Sequence, residues 1–158
     1  MKIAVIASEG YVGKKVVDFF KDQYEVVKYD ISLGRQCPTK EEVNECDLAV
    51  ICVPTPMTED GSCDTSIVEE VVSWIEVPIW IRSTVAPGTT DYLTKKYNAK
   101  IVFSPEYLGE SKYWTGYNFH LDEKECPWFI IGGEPDARQY VLDIIVPIAG
   151  PTKHYRQM

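Results

Sequence analysis

The sequence lacks the cysteine and histidine spacings that are typical of metal centres and disulfide frameworks. It contains 5 cysteines and 2 histidines in 158 residues, and no two cysteines have the C-x-x-C spacing. Because the cysteine count is odd and neither histidine lies beside a cysteine, we expect no structural zinc site and no set of disulfides. The sequence therefore predicts no metal ion.

Basic residues and long apolar runs are also scarce. The 16 Lys and Arg residues are outnumbered by 24 Asp and Glu, and the net charge is −8. This charge argues against nucleic acid or an anionic membrane as a partner, because phosphate binding needs a basic surface. It does not argue against a dinucleotide, which backbone N–H groups can hold. No apolar run approaches the length of a membrane span and no basic leader precedes the first strand pattern, so we expect a cytoplasmic protein.

Short apolar runs alternate with helical patterns along the chain. Strand patterns occupy residues 2–7, 24–29, 48–53, 79–82, 100–103 and 128–131, and helical patterns occupy 11–23, 40–44, 67–75, 87–97 and 135–146. Continuously apolar strands joined by helices indicate a parallel sheet covered on both faces. We predict an α/β fold, Rossmann-like and doubly wound, with a mostly parallel sheet of about six strands. One domain is expected over residues 1–150, followed by a C-terminal tail over residues 151–158.

The first strand pattern runs into a turn with the spacing Ala7-x-x-Gly10-x-x-Gly13. A glycine-containing turn between a strand and a helix can bring backbone N–H groups and the helix N-terminus against a pyrophosphate. Gly10 would allow the phosphates to approach, and Gly13 would allow the helix to pack tightly on the strand. Ala7 stands where the usual G-x-G-x-x-G pattern has its first glycine. Glu9 adds a carboxylate to the turn, which would repel the pyrophosphate unless it points away.

Asp30 ends the second strand pattern. A carboxylate at this position can accept hydrogen bonds from the adenosine ribose hydroxyls and would repel a 2′-phosphate, so NAD is favoured over NADP. The alternative is a tight turn without a ligand, with Asp30 as a solvated strand end. The turn, its strand context and Asp30 together favour a dinucleotide site.

Three further segments make a family recognisable. They are VPTPMTEDGSCDTS at Val53–Ser66, STVAPGTT at Ser83–Thr90 and FSPEYLGES at Phe103–Ser111. Together with GYVG at Gly10–Gly13, their order and strand context resemble the UDP-glucose/GDP-mannose dehydrogenase family, specifically its N-terminal NAD-binding domain. The family has a longer stretch between the ribose carboxylate and V-P-T-P. Because that stretch is short here, we predict a shortened sheet edge after the second strand.

The resemblance implies an activity and a set of site residues. Family members oxidise the C6 alcohol of a nucleotide sugar to a carboxylate and reduce two NAD. By the motifs they match, Thr84 would help to organise the catalytic water, Glu106 would serve acid/base and thioester-hydrolysis steps, and Glu110 would lie near the substrate. The residues expected at the NAD site are Gly10, Tyr11, Val12, Gly13, Asp30, Val53, Pro54, Thr55 and Thr84.

The resemblance does not extend to the rest of the family's catalytic groups. The family's nucleophilic cysteine, its neighbouring aspartate and the lysine and asparagine that hold the oxyanion follow the NAD-binding domain, and no cysteine here lies in a matching motif. We disfavour Cys63, in a loop near the crevice, as a nucleophile. We expect a chain that is catalytically incomplete alone and works with a protein partner or as a homo-oligomer. The alternatives are a non-catalytic nucleotide-binding or regulatory module and, ranked last, a small reductase of the short-chain type.

Overall fold

The computed structural model describes residues 1–107, 123–151 and 153–158, so the predicted site residue Glu110 lies outside the described residues. Its helices are α1 (Tyr11–Phe20), a 3-10 helix (Ile31–Gln36), α2 (Lys40–Asn44), α3 (Ser66–Val72), α4 (Thr89–Tyr97) and α5 (Pro135–Ala149). Its strands are β1 (Lys2–Ile6), β2 (Glu25–Tyr29), β3 (Leu48–Ile51), β4 (Ile79–Ile81), β5 (Ile101–Phe103), β6 (Trp128–Gly133) and β7 (His154–Gln157). Within the described ranges, no helix has the length and apolar character to span a membrane.

The strands form one sheet in the order β2-β1-β3-β4-β5-β6-β7. All neighbours are parallel except β5 and β6, which are antiparallel. Because β2 lies on one side of β1 and β3 on the other, the chain reverses its direction of winding at β1. In open parallel sheets such a reversal leaves a crevice at the carboxyl ends of the strands. The predicted α/β, Rossmann-like and mostly parallel fold is confirmed.

The two edges of the sheet differ in how well the sequence indicates them. β2 forms one edge, and the 3-10 helix and α2 connect it to β3, which agrees with the predicted shortened edge. The other edge is β7, in residues expected to be an unpatterned tail, and it raises the strand count from about six to seven. β7 pairs in parallel with β6 from His154 to Gln157. Its side chains are polar and mostly exposed, so no apolar pattern marks it as a strand.

Two apolar clusters cover the two faces of the sheet. Val50 and Trp80 point to the face covered by α1 and α5, where the rings of Phe20 and Trp80 meet edge-on with centroids 6.2 Å apart. Ala49 and Ile51 point to the opposite face, where they pack with Leu93 of α4 and with residues of α3. Burial on both faces explains why the central strands are continuously apolar rather than alternating.

Candidate functional site

A cleft of ≈ 750 Å³ lies along the carboxyl ends of the parallel strands. Residues of the β1–α1 turn, the end of β2 and the segments that follow β3, β4 and β5 contribute to its walls. At the ~4.8 Å spacing of neighbouring strands, β2 and β5 lie about 19 Å apart, so the cleft is long as well as deep. It brings together these predicted site residues: Gly10, Tyr11, Val12, Asp30, Val53, Pro54, Thr55, Thr84 and Glu106.

The β1–α1 turn presents the start of a helix to the cleft. α1 begins at Tyr11 with Gly10 as its N-cap residue, no side chain caps it, and its first turn contains no acidic residue. The first N–H groups of a helix have no partner within the helix, and its dipole is positive at this end. The turn therefore offers backbone donors and positive potential where a pyrophosphate would be held.

Gly13 has a packing role in this turn. A Cβ atom at Gly13 would lie 2.1 Å from the Ala7 carbonyl oxygen and 2.9 Å from the Ser8 Cα, so α1 can contact the turn only through a glycine. Gly13 is the one predicted cofactor residue that is absent from the cleft wall. At Gly10, which does line the cleft, a Cβ would lie 3.3 Å from the same oxygen.

Ala7 and Glu9 show how the turn accommodates its departures from the glycine pattern. Ala7 adopts a φ of 61°, in the left-handed region that favours glycine. The Glu9 carboxylate lies 3.9 Å from the Lys14 ammonium group, and Glu9 lines a separate groove beside β2. It does not line the cleft, so this carboxylate points away from the place proposed for the pyrophosphate and has a positive charge beside it.

Asp30 links the end of β2 to the β1–α1 turn. Its Oδ2 accepts a hydrogen bond from the Glu9 N–H at 3.0 Å, and its Oδ1 accepts from the N–H and hydroxyl of Ser32 at 2.9 and 2.7 Å. Partial burial acts to raise the pKa of Asp30, but these hydrogen bonds and the charge of Lys14 outweigh it, and the pKa is lowered. The carboxylate is therefore ionised at neutral pH, and Oδ2 retains acceptor capacity for a further donor.

An aromatic wall flanks Asp30, and the sequence did not indicate it. The rings of Tyr29 and Trp74 lie 5.4 Å apart, and the Lys40 ammonium nitrogen lies 4.9 Å from the centre of the Trp74 ring. Ile67 and Val71 continue this wall on the α3 side. A tryptophan near the end of the helical pattern over residues 67–75 is the only signal available in the sequence, and it does not show that the ring faces β2.

The opposite end of the cleft is built from the ends of β4 and β5. Thr84 is exposed at the end of the β4 segment, and Glu106 follows the β5 segment. The Ser83 hydroxyl donates to the Val53 carbonyl at 2.7 Å, which ties the loops after β3 and β4 together. The buried Arg82 guanidinium donates to the Pro105 carbonyl at 3.1 Å. This end of the cleft therefore combines a hydroxyl and a carboxylate on two connected segments.

The family assignment rests on how much of the chain matches a single family model. Residues 25–143 match the model of the UDP-glucose/GDP-mannose dehydrogenase family, NAD binding domain. The chain belongs to this family. The predicted resemblance is confirmed, and so is the predicted cofactor, NAD, because the matched unit is an NAD-binding domain.

Curated relatives agree with this assignment. The domain is 31% identical over 153 residues to a UDP-glucose 6-dehydrogenase of Streptococcus pneumoniae. This match covers 71% of this chain and 37% of that protein. It is 38% identical over 86 residues to a UDP-N-acetyl-D-mannosamine dehydrogenase of Methanocaldococcus jannaschii. This second match covers 48% of this chain and 20% of that protein. The chain thus spans well under half the length of these relatives.

Solved structures show the same fold. A UDP-D-ManNAc dehydrogenase from Pyrococcus horikoshii superposes with a TM-score of 0.76 at 21% identity, covering 100% of this chain and 47% of that one. A GDP-mannose dehydrogenase from Pseudomonas aeruginosa, solved as a ternary complex, gives a TM-score of 0.73 at 22% identity, covering 99% of this chain and 46% of that one. At these identities the likeness concerns the fold.

The cleft of this NAD-binding domain suits the parts of NAD. The apolar and aromatic wall around Trp74 suits a purine ring, and the ionised Asp30 suits ribose hydroxyls. The start of α1 suits the pyrophosphate. The residues present therefore fit the cofactor of the family.

The cysteines of the domain do not provide an activated thiol in the cleft. Cys52 lines the cleft, but desolvation raises the pKa of its thiol to about 12, so it is protonated at neutral pH. The Cys63 thiol donates to the Thr84 carbonyl at 3.5 Å and does not line the cleft. All five cysteines are free thiols.

The short-chain reductase alternative has no support in the cleft. Such enzymes use a tyrosine with a lysine four residues later, and three pairs here have that spacing: Tyr11 with Lys15, Tyr24 with Lys28, and Tyr92 with Lys96. Tyr11 is the one tyrosine of these pairs that lines the cleft, and none of the three lysines does.

Proposed function

We propose that this domain binds NAD along the cleft in support of the oxidation of a nucleotide sugar. The observation that carries the proposal is the order of groups along the sheet edge. Asp30 follows β2, the start of α1 follows β1, and Thr84 and Glu106 follow β4 and β5, all in one cleft. The adenosine would be held at the Asp30 end, the pyrophosphate at Gly10–Val12 and the nicotinamide at the Thr84 end. Val53, Pro54 and Thr55 would line the path between the pyrophosphate and the nicotinamide.

Asp30 would select NAD over NADP. Its carboxylate is ionised and accepts one hydrogen bond at Oδ2, so a ribose hydroxyl can still donate to it. A 2′-phosphate would bring negative charge against the same carboxylate. Lys40 lies in the same cleft, but its ammonium group is over the Trp74 ring.

Thr84 and Glu106 would act on the substrate side of the nicotinamide. Bound NAD would supply the hydride acceptor for oxidation of the sugar alcohol. The Thr84 hydroxyl can hold a water molecule or an oxygen of the substrate, and the Glu106 carboxylate can accept or return a proton. Glu110 keeps its proposed place near the substrate by its motif alone.

We propose that the domain needs groups from a further protein region to complete catalysis. The relatives are more than twice as long as the matched segment, and the cleft does not present an activated cysteine within the described residues. The missing groups would come from a protein region that carries the nucleophilic cysteine, such as that of a partner polypeptide. We assign the NAD-binding role to residues 1–150, with β7 in residues 151–158 extending its sheet.

A titration with NAD tests the proposal on this chain directly. Trp74 lines the cleft, so its fluorescence should change as NAD binds, and calorimetry should give the same Kd. NADP is the matched control ligand and should bind more weakly. If neither NAD nor NADH binds to the folded protein, the proposed function is wrong.

A second experiment separates the binding role from full catalysis. We expect no NADH formation when the chain alone is mixed with NAD and UDP-glucose, UDP-N-acetyl sugars or GDP-mannose. Turnover by the chain alone that is lost in Glu106→Gln would contradict the need for a partner. NAD binding without turnover, even when a chain carrying the cysteine half is added, would favour the regulatory alternative.

A further inference from the structure

We propose that Arg82 is a positioning residue that holds Glu106 at the nicotinamide end of the cleft. This inference rests on the proposed function, because it concerns the geometry of the same site. Arg82 directly precedes the Ser83-Thr84 pair, yet its side chain contacts the segment that carries Glu106. One side chain therefore connects the two strand ends that carry Thr84 and Glu106.

The contacts of Arg82 act on the backbone beside Glu106. Its Nη1 donates to the Ser104 carbonyl at 3.2 Å, to the Ser104 hydroxyl at 3.0 Å and to the Pro105 carbonyl at 3.1 Å. The Pro105 carbonyl belongs to the planar peptide unit that joins Pro105 to Glu106. Fixing that carbonyl fixes the plane from which the Glu106 side chain departs.

The regular sheet does not provide this restraint. β4 ends at Ile81 and β5 ends at Phe103, and the Ser104 N–H donates to the Ile81 carbonyl at 3.1 Å. Beyond that point the Arg82 guanidinium links the two segments. This contact carries the connection between the segments that follow β4 and β5 as far as the residues that line the cleft.

Charge holds the guanidinium in this position. Arg82 is 3% exposed and Glu123 is 4% exposed, and the Arg82 Nη2 donates to Glu123 Oε1. Burying a guanidinium without a carboxylate partner is strongly unfavourable, so the Glu123 carboxylate stabilises Arg82 in its buried position. Its contact with Nη2 also orients the guanidinium. The Arg82 Nε, buried, has no hydrogen-bond partner among the described residues, so the Nη hydrogen bonds and the Trp80 ring, 5.0 Å from the guanidinium carbon, set the orientation.

The planar fork of arginine matters for this role. Arginine carries several N–H donors in a fixed plane, whereas lysine is a single point charge on a flexible stem. Here one fork serves Glu123 with one nitrogen and three acceptors of Ser104 and Pro105 with the other. A lysine can keep the ion pair but not this set of contacts.

The test compares NAD with ADP-ribose, which lacks the nicotinamide. A positioning role at the nicotinamide end predicts weaker NAD binding with unchanged ADP-ribose binding. We expect Arg82→Lys to lower the ratio of NAD affinity to ADP-ribose affinity about tenfold, as expected when a charged hydrogen-bond network is lost. The double variant Arg82→Met with Glu123→Met should lower it by a similar factor, and it leaves no unpaired buried charge.

Arg138→Met is the matched control. Arg138 is partly buried and, like Arg82, donates to a backbone carbonyl, that of Gly133 at 2.9 Å, but it does not line the cleft. The control should leave the affinity ratio within twofold of wild type. Folding of every variant is checked by circular dichroism and thermal unfolding.

The outcomes distinguish this inference from the proposed function. If wild type binds neither ligand, the proposed function fails. If wild type binds NAD more tightly than ADP-ribose and the Arg82 variants keep the wild-type ratio, the positioning role is wrong. Equal weakening of both ligands would also overturn it, because that result indicates general damage to the fold. A wild-type ratio close to one would overturn it too, because the nicotinamide would then make no contact for Arg82 to organise.

Discussion

Replacing Gly13 by alanine tests the physical basis of the β1–α1 turn. The new Cβ would lie 2.1 Å from the Ala7 carbonyl oxygen, where ordinary contact begins at 3.4 Å. The atoms in the way are backbone atoms of Ala7 and Ser8, so no side chain can rotate to relieve the overlap. Either α1 must move away from the turn or the turn must deform.

The magnitude follows from two opposing effects. Overpacking typically costs about 1–3 kcal/mol and more where backbone must shift, whereas alanine gains about 1 kcal/mol over glycine inside a helix. Because the obstacle is backbone, we place the overpacking cost at or above the top of its range, about 3–4 kcal/mol, and expect a net loss of about 2–3 kcal/mol in the free energy of unfolding. For a chain of this size that corresponds to a fall in Tm of roughly 5–10 °C.

Gly10→Ala is the matched control for this substitution. Its Cβ would lie 3.3 Å from the same oxygen, and Gly10 has a φ of −70°, which any residue can adopt. We expect Gly10→Ala to change Tm by less than about 2 °C, since it adds no severe overlap. It should weaken NAD binding, because Gly10 lines the cleft. Thermal unfolding that shows the same Tm for Gly13→Ala and Gly10→Ala would refute this reasoning.

Further predictions concern Ala7, Asp30 and Cys52. Ala7→Gly should raise the free energy of unfolding by about 0.5–1 kcal/mol in denaturant titrations, because Ala7 has a φ of 61°; a fall in stability would contradict this. Because the pKa of Asp30 is lowered in the folded protein, its ionised form stabilises the fold above about pH 4. This stabilisation is lost as the pH falls through the lowered pKa, so Asp30→Asn should flatten the acid side of the plot of unfolding free energy against pH. The same variant should raise NADP affinity relative to NAD by about tenfold in competition titrations, and an unchanged ratio would count against Asp30 at the ribose. Cys52, with a pKa of about 12, should resist alkylation at mild alkaline pH in the folded protein and react after unfolding, as peptide mass analysis can measure.

The fold class and nine of the residues that line the cleft follow from the sequence pattern and its motifs. Continuous apolar runs separated by helical patterns specify a parallel sheet buried on both faces. Because the carboxyl ends of parallel strands share one edge, residues that end those runs, such as Asp30 and Thr84, had to meet there. The spacing from Ala7 to Gly13 indicated both a tight turn and the place of a pyrophosphate.

Contacts between distant segments do not follow from the sequence pattern. The approach of Trp74 to Tyr29, the turn of Glu9 away from the cleft and the reach of Arg82 to Pro105 depend on how helices and loops pack. β7 is a strand because β6 offers it hydrogen-bonding groups, although its own polar residues carry no strand pattern. Periodicity in a sequence reports which residues are buried within an element. It does not report which partner a side chain meets across the sheet edge, and in this domain those partners shape both ends of the cleft.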